Sequence, residues 1–485
     1  MIETVGVMTP RRKAIILVSC CLSLLIVSMD ATIVNVAIPA IRADLSASAA
    51  QMQWVVDIYT LVLASLLMLS GATGDRFGRR RVFQIGLTVF AVGSLACSLA
   101  PTIDTLIAAR FLQGIGGSML NPVALSIISQ IFVGREERAR ALGVWGAVVG
   151  ISMSLGPIVG GLLIETIGWR SVFWINLPIC AAAIMLTAIF VPETKSTTMR
   201  NVDPVGQGLA VLFLFGVVYA LIEGPGLGWT SPRVVGIAVV AALAFVAFLR
   251  YESRRQDPFL DLRFFRSIPF TSATVTAVSA FAGWGAFLFM MSLYLQGERG
   301  YSAMHTGLIY LPIALGALLF SPLSGRLVGR YGARPSLLTA GVLISVAATM
   351  LTFLTATTPV WQLLVVFAVF GIGFSMVNAP LTNAAVSGMP LDRAGAASAV
   401  TSTSRQVGVS IGVALCGSVA GPAISVAGAD FASAARPLWF VCIGLGLVIL
   451  VLGTFSTTRR AHRSAERLAP LISGTPTLPE DAHVR

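Results

Sequence analysis

The sequence predicts an all-α polytopic membrane protein with fourteen transmembrane helices. Of its 485 residues, 56% are apolar and only 11% are charged, whereas a soluble domain carries about 25% charged residues. Apolar segments of roughly 17 to 25 residues recur along the chain, and each is long enough to cross a hydrocarbon layer about 30 Å thick. Short connections rich in Arg, Gly and Pro separate these segments, as expected for a bundle of spanning helices.

The apolar segments are bounded by charged residues or by Gly and Pro, which mark the ends of helices. The first segment follows Arg11, Arg12 and Lys13, as in a signal peptide. Its length and the presence of Asp30 favour a retained spanning helix instead. The predicted helices cover residues 14–38, 53–73, 82–100, 105–128, 141–164, 171–191, 205–222, 234–251, 270–295, 304–327, 336–355, 361–386, 394–420 and 437–455.

The distribution of Lys and Arg predicts the orientation. With the N-terminus inside, 26 of the 33 basic residues fall in cytoplasmic segments and five fall outside, while Arg110 and Arg405 lie within helices. Because basic loops stay in the cytoplasm, both termini are predicted to be cytoplasmic. The net charge of +12 is explained by this placement, and no nucleic-acid partner is expected.

A weak internal repeat predicts the domain organisation. GATGDRFGRRR begins at Gly71 and GRLVGRYGARP begins at Gly325, and four of their Gly and Arg residues match at a constant offset of 254. Two such halves rock against each other in many secondary transporters. The predicted parts are an N-terminal six-helix half (1–200), two inserted helices (201–266), a C-terminal six-helix half (267–458) and a disordered cytoplasmic tail (459–485).

Four polar residues near the outer ends of predicted helices form the first candidate site: Asp30, Asp57, Arg110 and Gln113. A charged group at the centre of a spanning helix costs about 2.5–3.5 kcal/mol on insertion scales, so each should face protein or water. Asp30, Asp57 and Arg110 fall at similar depths, which predicts a shared cluster that binds protons or substrate. The alternatives are a structural ion pair for Arg110, a local structural role for Asp30 and an interfacial acid for Asp57.

A second candidate polar site lies in the thirteenth predicted helix, where Arg405 and Gln406 fall near mid-membrane. An Arg at this depth requires a partner or a water-filled cavity. An aromatic and Met cluster in the ninth predicted helix, from Phe281 to Met291, either lines a pocket or packs the core.

Glycines and one proline crowd one face of the fifth predicted helix. Small residues allow close approach of helices, and a proline weakens the helical hydrogen-bond ladder. This helix is either a hinge or seam between the halves or an ordinary packing face. The residues concerned are Gly150, Gly156, Pro157, Gly160 and Gly161.

The loop after the second predicted helix is a candidate cytoplasmic gate. Its acid lies near the start of a helix, where the helix dipole favours negative charge, and its arginines can pair with acids or lipid phosphates. Simple anchoring by positive charge is the alternative. The gate residues are Gly71, Asp75, Arg76, Gly78, Arg79 and Arg80.

Six segments together resemble the motifs of the major facilitator superfamily, in particular its fourteen-helix drug:proton antiporter family. The resemblance implies export of small lipophilic or cationic organic compounds in exchange for protons, with Asp30 and Asp57 in coupling, and it marks the fifth helix as that of an exporter. The segments are MDATIVNVAIP (29–39), GATGDRFGRR (71–80), LIAARFLQGIGGSML (106–120), GISMSLGPIVGGLL (150–163), WRSVFWINLPI (169–179) and TSRQVGVSIG (403–412).

Other classes of function lack the residues that they require. GxxxxGK[ST] does not occur in the sequence, so ATP-driven export is not expected, and no catalytic or metal-binding constellation predicts an enzyme or a cofactor. The expected protein is a monomer in a bacterial cell membrane, with lipid, protons and a small organic substrate as partners. Two alternatives are a proton-coupled transporter of a specific metabolite, lipid or siderophore, and a non-transporting receptor or scaffold.

Overall fold

The computed structural model describes residues 8–195, 203–255, 260–386, 394–425, 431–458, 460–461 and 463–465. Within these ranges the regular structure is entirely helical. Most of the predicted tail 459–485 lies outside the described residues, and so does the packing around Gly150.

The helices follow one another with short connections, so successive spans run in opposite directions. In chain order they are α1 (Pro10–Leu45), α2 (Ala49–Phe77), α3 (Arg79–Ser98), α4 (Ile103–Ile131), α5 (Arg135–Thr166), α6 (Ser171–Trp174), α7 (Asn176–Phe190), α8 (Pro204–Leu227), α9 (Pro232–Glu252), α10 (Ile268–Leu293), α11 (Ala303–Ile309), α12 (Leu311–Tyr331), α13 (Ala333–Thr352), α14 (Val360–Ser375), α15 (Asn378–Val386), α16 (Ala394–Ser425) and α17 (Phe431–Phe455).

Twelve helical segments among the described residues are long and apolar enough to cross a membrane. Four of them combine neighbouring helices: α6 with α7, α10 with the π-helical turn Tyr294–Glu298, α11 with α12, and α14 with α15. Helices α5 and α16 occupy the two remaining predicted positions. The face of the bundle where α1 begins is called the near face here, and the face where α1 ends is called the far face.

The predicted end of the first helix at residue 38 is wrong, because α1 continues to Leu45 with Pro39 inside it. The apolar run ends before the helix does, and Ile41 stays buried beyond the proline. The helix stops at Ser46, which takes the left-handed conformation (φ 51°, ψ 42°) and donates its N–H to the carbonyl of Arg42, a common way to end a helix.

The helices form two packed groups and a hairpin. The first group comprises α1–α7 and the second comprises α10–α17, while α8 and α9 pack on each other as a hairpin. Helix α10 lies at the centre, with every residue from Ser279 to Leu293 buried. Helix α8 contacts both α2 and α16, so the hairpin lies across a line where the two groups meet.

Small residues bring the groups into close contact where α5 meets α11, toward the far face. A methyl group at Gly161 would overlap the carbonyl oxygen of Ala303, and one at Gly307 would lie 2.6 Å from the carbonyl oxygen of Pro157. The backbones therefore touch directly. The N–H of Met304 also donates to the Glu165 carboxylate at 3.1 Å.

We expect Gly161→Val to separate α5 from α11, because the added side chain has no space. In a chain that carries Ala303→Cys as a reporter, labelling by a membrane-impermeant maleimide should increase several-fold. Gly143→Val is the matched control. Gly143 is on the same helix, and a methyl group added there would have no contacting atom within 4 Å. Equal labelling of both variants would show that the α5–α11 contact does not close the far face.

Candidate functional site

An ion pair joins α1 and α4 in the interior of the first group. Arg110 donates a hydrogen bond from its Nη1 to Asp30 Oδ2 at 2.5 Å, and the side chains are 1% and 0% exposed respectively. The sequence predicted that these two residues would lie at one level, and the structure brings them together. Removing two charges from water is costly, so such a pair needs additional hydrogen bonds.

Amide side chains supply those additional hydrogen bonds. Gln113 donates from Nε2 to Asp30 Oδ1 at 2.9 Å and to Ser94 Oγ at 2.7 Å, while its Oε1 accepts from Arg110 at 2.6 Å. Asn176 in α7 donates to Asp30 Oδ1 at 3.2 Å and to Ser94 Oγ at 3.2 Å. Both oxygens of the Asp30 carboxylate are therefore satisfied.

Helix α2 completes the surroundings of Arg110. Its Nε donates to the carbonyl oxygen of Val55 at 3.0 Å, and its guanidinium carbon lies 4.2 Å from the centroid of the Tyr59 ring. A cation over an aromatic face gains up to about 2 kcal/mol when it is desolvated. The ion pair thus connects α1, α2, α3, α4 and α7.

Asp57 does not join this cluster, so the predicted group of three ionisable residues is wrong in that respect. Val55 and Tyr59 face Arg110, and Asp57 lies two residues from each, which turns its side chain about 200° away on an α-helix. Asp57 is 0% exposed, and neither of its oxygens has a hydrogen-bond partner among the residues that the structure describes.

Asp57 instead faces α16, across the boundary between the two groups. The hydroxyl of Ser410 lies beside its carboxylate. One turn earlier in α2, Gln53 donates from Nε2 to the carbonyl oxygen of Val413 at 2.6 Å. A carboxylate and a hydroxyl that are both buried at an interhelical boundary are costly unless the carboxylate binds a proton or the boundary opens.

Arg405 occupies the second predicted polar site and is partly buried in α16. It donates from Nη2 to Thr382 Oγ1 at 3.3 Å, and its guanidinium carbon lies 5.7 Å from the centroid of the Phe281 ring. Its Nε is buried without a hydrogen-bond partner in the described part of the chain. Gln406, the next residue, is also partly buried.

The aromatic residues of α10 stack against α14. Trp284 lies parallel to Phe374 with ring centroids 4.4 Å apart, and Phe287 lies parallel to Phe370 at 4.2 Å. Phe281 meets the edge of Phe374 at 5.1 Å. This stack is packed core of the second group, and its Phe281 end contacts Arg405.

The prediction of a gate loop after the second helix is wrong, because α2 continues to Phe77 and α3 begins at Arg79, with only Gly78 between them. Asp75 therefore lies in the last turn of α2, and this junction is tied to the end of α7 on the near face. Asp75 pairs with Arg79 at 2.7 Å, and Arg80 donates from Nη2 to the carbonyl oxygen of Ala188 at 2.6 Å. Glu193 accepts from the backbone N–H of Arg80 at 3.2 Å and lies 3.7 Å from Arg81 Nε. Two further predicted gate residues lie earlier in α2. The Arg76 guanidinium lies 5.5 Å from the centroid of the Phe77 ring, and Gly71 packs against Pro122.

The internal repeat is also visible in the backbone. Gly78 ends α2 with φ 111°, and Gly332, its counterpart in the repeat, ends α12 with φ 78°. Only glycine adopts such angles without strain. A side chain at Gly78 would also overlap Glu193, so this turn requires glycine for two reasons.

The Gly-Pro helix α5 uses two faces. Gly156 and Gly160 contact Thr32 and Ile33 of α1, where a methyl group would overlap their side chains. Gly161 faces Ala303 of the second group. The sequence predicted close helix approach along this stretch, and the structure shows it within the first group and between the two groups.

Sequence reasoning missed three residues of these sites: Ser94, Asn176 and Glu193. Ser94 and Asn176 are polar residues within apolar runs, and that signal alone would have made them candidates. Glu193 follows a proline just after a spanning segment. Its role depends on the fold of the α2–α3 junction, which no local pattern indicates.

Spanning helices packed around a buried, hydrogen-bonded ion pair make this a polytopic membrane protein, and the family that it matches is one of transporters and not of enzymes. The chain belongs to the Major Facilitator Superfamily, whose family model matches residues 20–413. It is 37% identical over 409 residues to the multidrug resistance protein Stp of Mycobacterium tuberculosis. The matched residues are 84% of this chain and 76% of that protein. It is a multi-pass protein of the cell membrane.

A second relative supports this family, and a solved structure has the same fold. The chain is 38% identical over 397 residues to the methylenomycin A resistance protein of Streptomyces coelicolor, covering 81% of this chain and 82% of that protein. A bacterial homologue of the human lysosomal transporter Spinster, solved in an inward-facing and unoccupied conformation, superposes with a TM-score of 0.64 at 17% identity. The superposition covers 95% of this chain and 99% of that structure.

We expect Asp30→Asn to destabilise the first group, because Arg110 would remain buried without a carboxylate. Breaking a buried pair in this way costs about 3–5 kcal/mol, so the unfolding temperature of the purified protein should fall. The double variant Asp30→Asn/Arg110→Gln should lose less stability than the sum of the two single variants.

Thermal unfolding in detergent measures both effects. Asp44→Asn is the matched control, because Asp44 pairs with Arg170 at an exposed position, where an ion pair contributes only about 0–1 kcal/mol. If Asp30→Asn unfolds at the same temperature as this control, the ion pair does not hold the first group together.

Proposed function

We propose that this protein exports small lipophilic organic molecules from the bacterial cytoplasm in exchange for protons. Family membership supports transport, and the relatives named for multidrug and methylenomycin A resistance support outward movement of toxic compounds. The buried, unpartnered carboxylate of Asp57 at the boundary between the helix groups is the observation that carries proton coupling.

The proposal includes a membrane topology. Fourteen spans cross the bilayer, since α5 and α16 are added to the twelve long apolar segments, and both termini are cytoplasmic. The near face is then the cytoplasmic face. The first and second groups act as the two six-helix halves, at residues 1–200 and 267–458, with the hairpin of residues 201–266 inserted between them. We expect the monomer to be the working unit.

In this topology the described arrangement is closed toward the outside. Gln53 bonds to Val413, Gln296 donates to the carbonyl oxygen of Val36 at 2.9 Å, and Met304 bonds to Glu165. These bonds join the two halves toward the far face. A substrate would enter from the cytoplasm while this seam is closed.

Asp57 is suited to couple proton binding to the opening of that seam. An ionised carboxylate buried beside Ser410 without a counter-charge is strongly unfavourable, so Asp57 carries a proton while α2 and α16 are in contact. When the halves are apart at the far face, water surrounds the ionised carboxylate, which takes up a proton from outside before the seam closes. Closing the seam carries that proton inward, and its release to the cytoplasm leaves an ionised carboxylate at the closed seam, which favours reopening.

The Asp30–Arg110 pair has a different part in this cycle. Its carboxylate is already neutralised and hydrogen-bonded, so it holds the first half rigid while that half moves. Proton binding to Asp30 would release the Arg110 guanidinium, and the pair would then contribute to coupling as well. A lower unfolding temperature of Asp30→Asn would support the rigid role. Loss of proton-driven export without a lower unfolding temperature would support the coupling role.

Asp57→Asn should abolish proton-driven export while the protein remains folded, because an amide is neutral in every state. Ethidium efflux from cells that express the protein should be fast for wild type, should stop when a protonophore is added, and should fall at least about tenfold for Asp57→Asn, as for the loss of an essential proton-transfer group. The unfolding temperature of Asp57→Asn should stay close to that of wild type.

Asp104→Asn is the control, because Asp104 is an exposed acid in the first turn of α4. Efflux by Asp57→Asn at the wild-type rate, still sensitive to the protonophore, would contradict the coupling role. Accumulation of the dye inside intact cells would instead favour uptake, and the absence of transport for a panel of toxic compounds would favour a receptor or scaffold.

A further inference from the structure

Of the four charged side chains Asp30, Asp57, Arg110 and Arg405, three balance and one does not. Asp30 and Arg110 neutralise each other, and Asp57 is neutral in the proposed closed state. Arg405 has no carboxylate within 4 Å among the residues that the structure describes. Within the described part of the chain, Arg405 is therefore a positive charge without a counter-charge.

The guanidinium of Arg405 has unused hydrogen-bonding capacity. An arginine side chain carries five N–H donors in a planar fork. Thr382 accepts one of them at 3.3 Å, while Nε is buried without an acceptor in the described structure. A guanidinium fork matches the two oxygens of a carboxylate or sulfonate, so an anion would satisfy both the charge and the free donors.

An aromatic wall stands beside this cation. Phe281 lies under the guanidinium, and its ring meets Phe374, which stacks on Trp284. Gly408 lies in α16, one turn from Arg405. It allows α16 to approach α10 closely, because a methyl group at this position would lie 3.0 Å from Phe281 Cβ.

The depth of Arg405 favours a substrate over a lipid headgroup. It lies eleven residues beyond Ala394, where α16 begins on the near face, which places it about 16 Å along the helix from that end. A headgroup phosphate at the level of Ala394 would be too far away to use the free donors. A small molecule that enters between the halves can reach them.

We propose that Arg405 is the anion-recognition group of the transport site, and that the exported molecules include organic acids in their anionic form. This inference rests on the proposed export function and narrows its substrate class. The negative potential of the cytoplasm also drives an anion outward, whereas it opposes the export of a cation. An exporter that recognises anions through Arg405 could therefore use the membrane potential in addition to the proton gradient.

Equilibrium binding tests the inference separately from transport. The purified full chain in an uncharged detergent is titrated with 2-naphthalenesulfonate, which is permanently anionic, and in parallel with uncharged 2-naphthamide and the cation N-methylquinolinium. Arg405→Gln should weaken sulfonate binding by roughly 10- to 100-fold, as for the loss of charged hydrogen bonds. Binding of the amide and the cation should change by less than about threefold.

Two further variants define the contribution of the fork. Arg405→Lys keeps the charge but loses the planar donors, so it should bind sulfonate with intermediate affinity. Arg250→Gln removes an exposed charge at the end of α9 and should bind like wild type. Arg405→Gln that binds sulfonate as wild type does, or that weakens all three probes equally, would overturn the inference.

Transport in proteoliposomes separates this inference from the proposed function. Proton-coupled export of ethidium without any binding or export of the sulfonate would overturn anion recognition and leave the exporter intact. Sulfonate binding that depends on Arg405, without movement of any probe under a pH gradient, would support the site and contradict the exporter. Competition by phosphatidylglycerol at the same affinity as the sulfonate would assign Arg405 to lipid and also overturn the inference.

Discussion

The ion pair between Asp30 and Arg110 is the constraint around which the first half is built. Two charges in a lipid-embedded bundle are tolerated only when neighbouring groups replace the lost water. Here Gln113, Asn176 and the carbonyl of Val55 do so. Because these partners come from different helices, satisfying one pair fixes the relative positions of α1, α2, α3, α4 and α7.

The contrast among the buried ionisable groups suggests a division of labour. The satisfied pair lies inside one half, where the helices need not separate. Asp57 lies at the boundary between the halves, and Arg405 lies in the second half beside an aromatic wall. Asp57 and Arg405, whose charges have no counter-charge among the described residues, thus lie where access for protons or substrate would change during transport. The hydrogen-bonded ion pair lies where rigidity is useful.

The contacts between the two helix groups combine apolar side chains with small residues and hydrogen bonds to backbone atoms. One hydrophobic cluster runs across the boundary and includes Met29 and Val55 of the first group and Leu288 of the second. Gly161 and Gly307 let α5 and α11 touch through their backbones, and Gln53, Gln296 and Glu165 each use a main-chain partner. The packed aromatic core of the second group would be expensive to open.

Hydrophobic length and charge placement alone determined the helical membrane architecture, the approximate positions of the helices and the common depth of Asp30 and Arg110, because lipid imposes a strict length and a high cost on charge. Sequence could not determine that Asp57 turns away from that pair toward α16, that Asn176 and Ser94 complete it, or that Glu193 holds the α2–α3 junction. Those outcomes depend on the rotation of each helix about its own axis, and only the packing of all the helices together fixes that rotation.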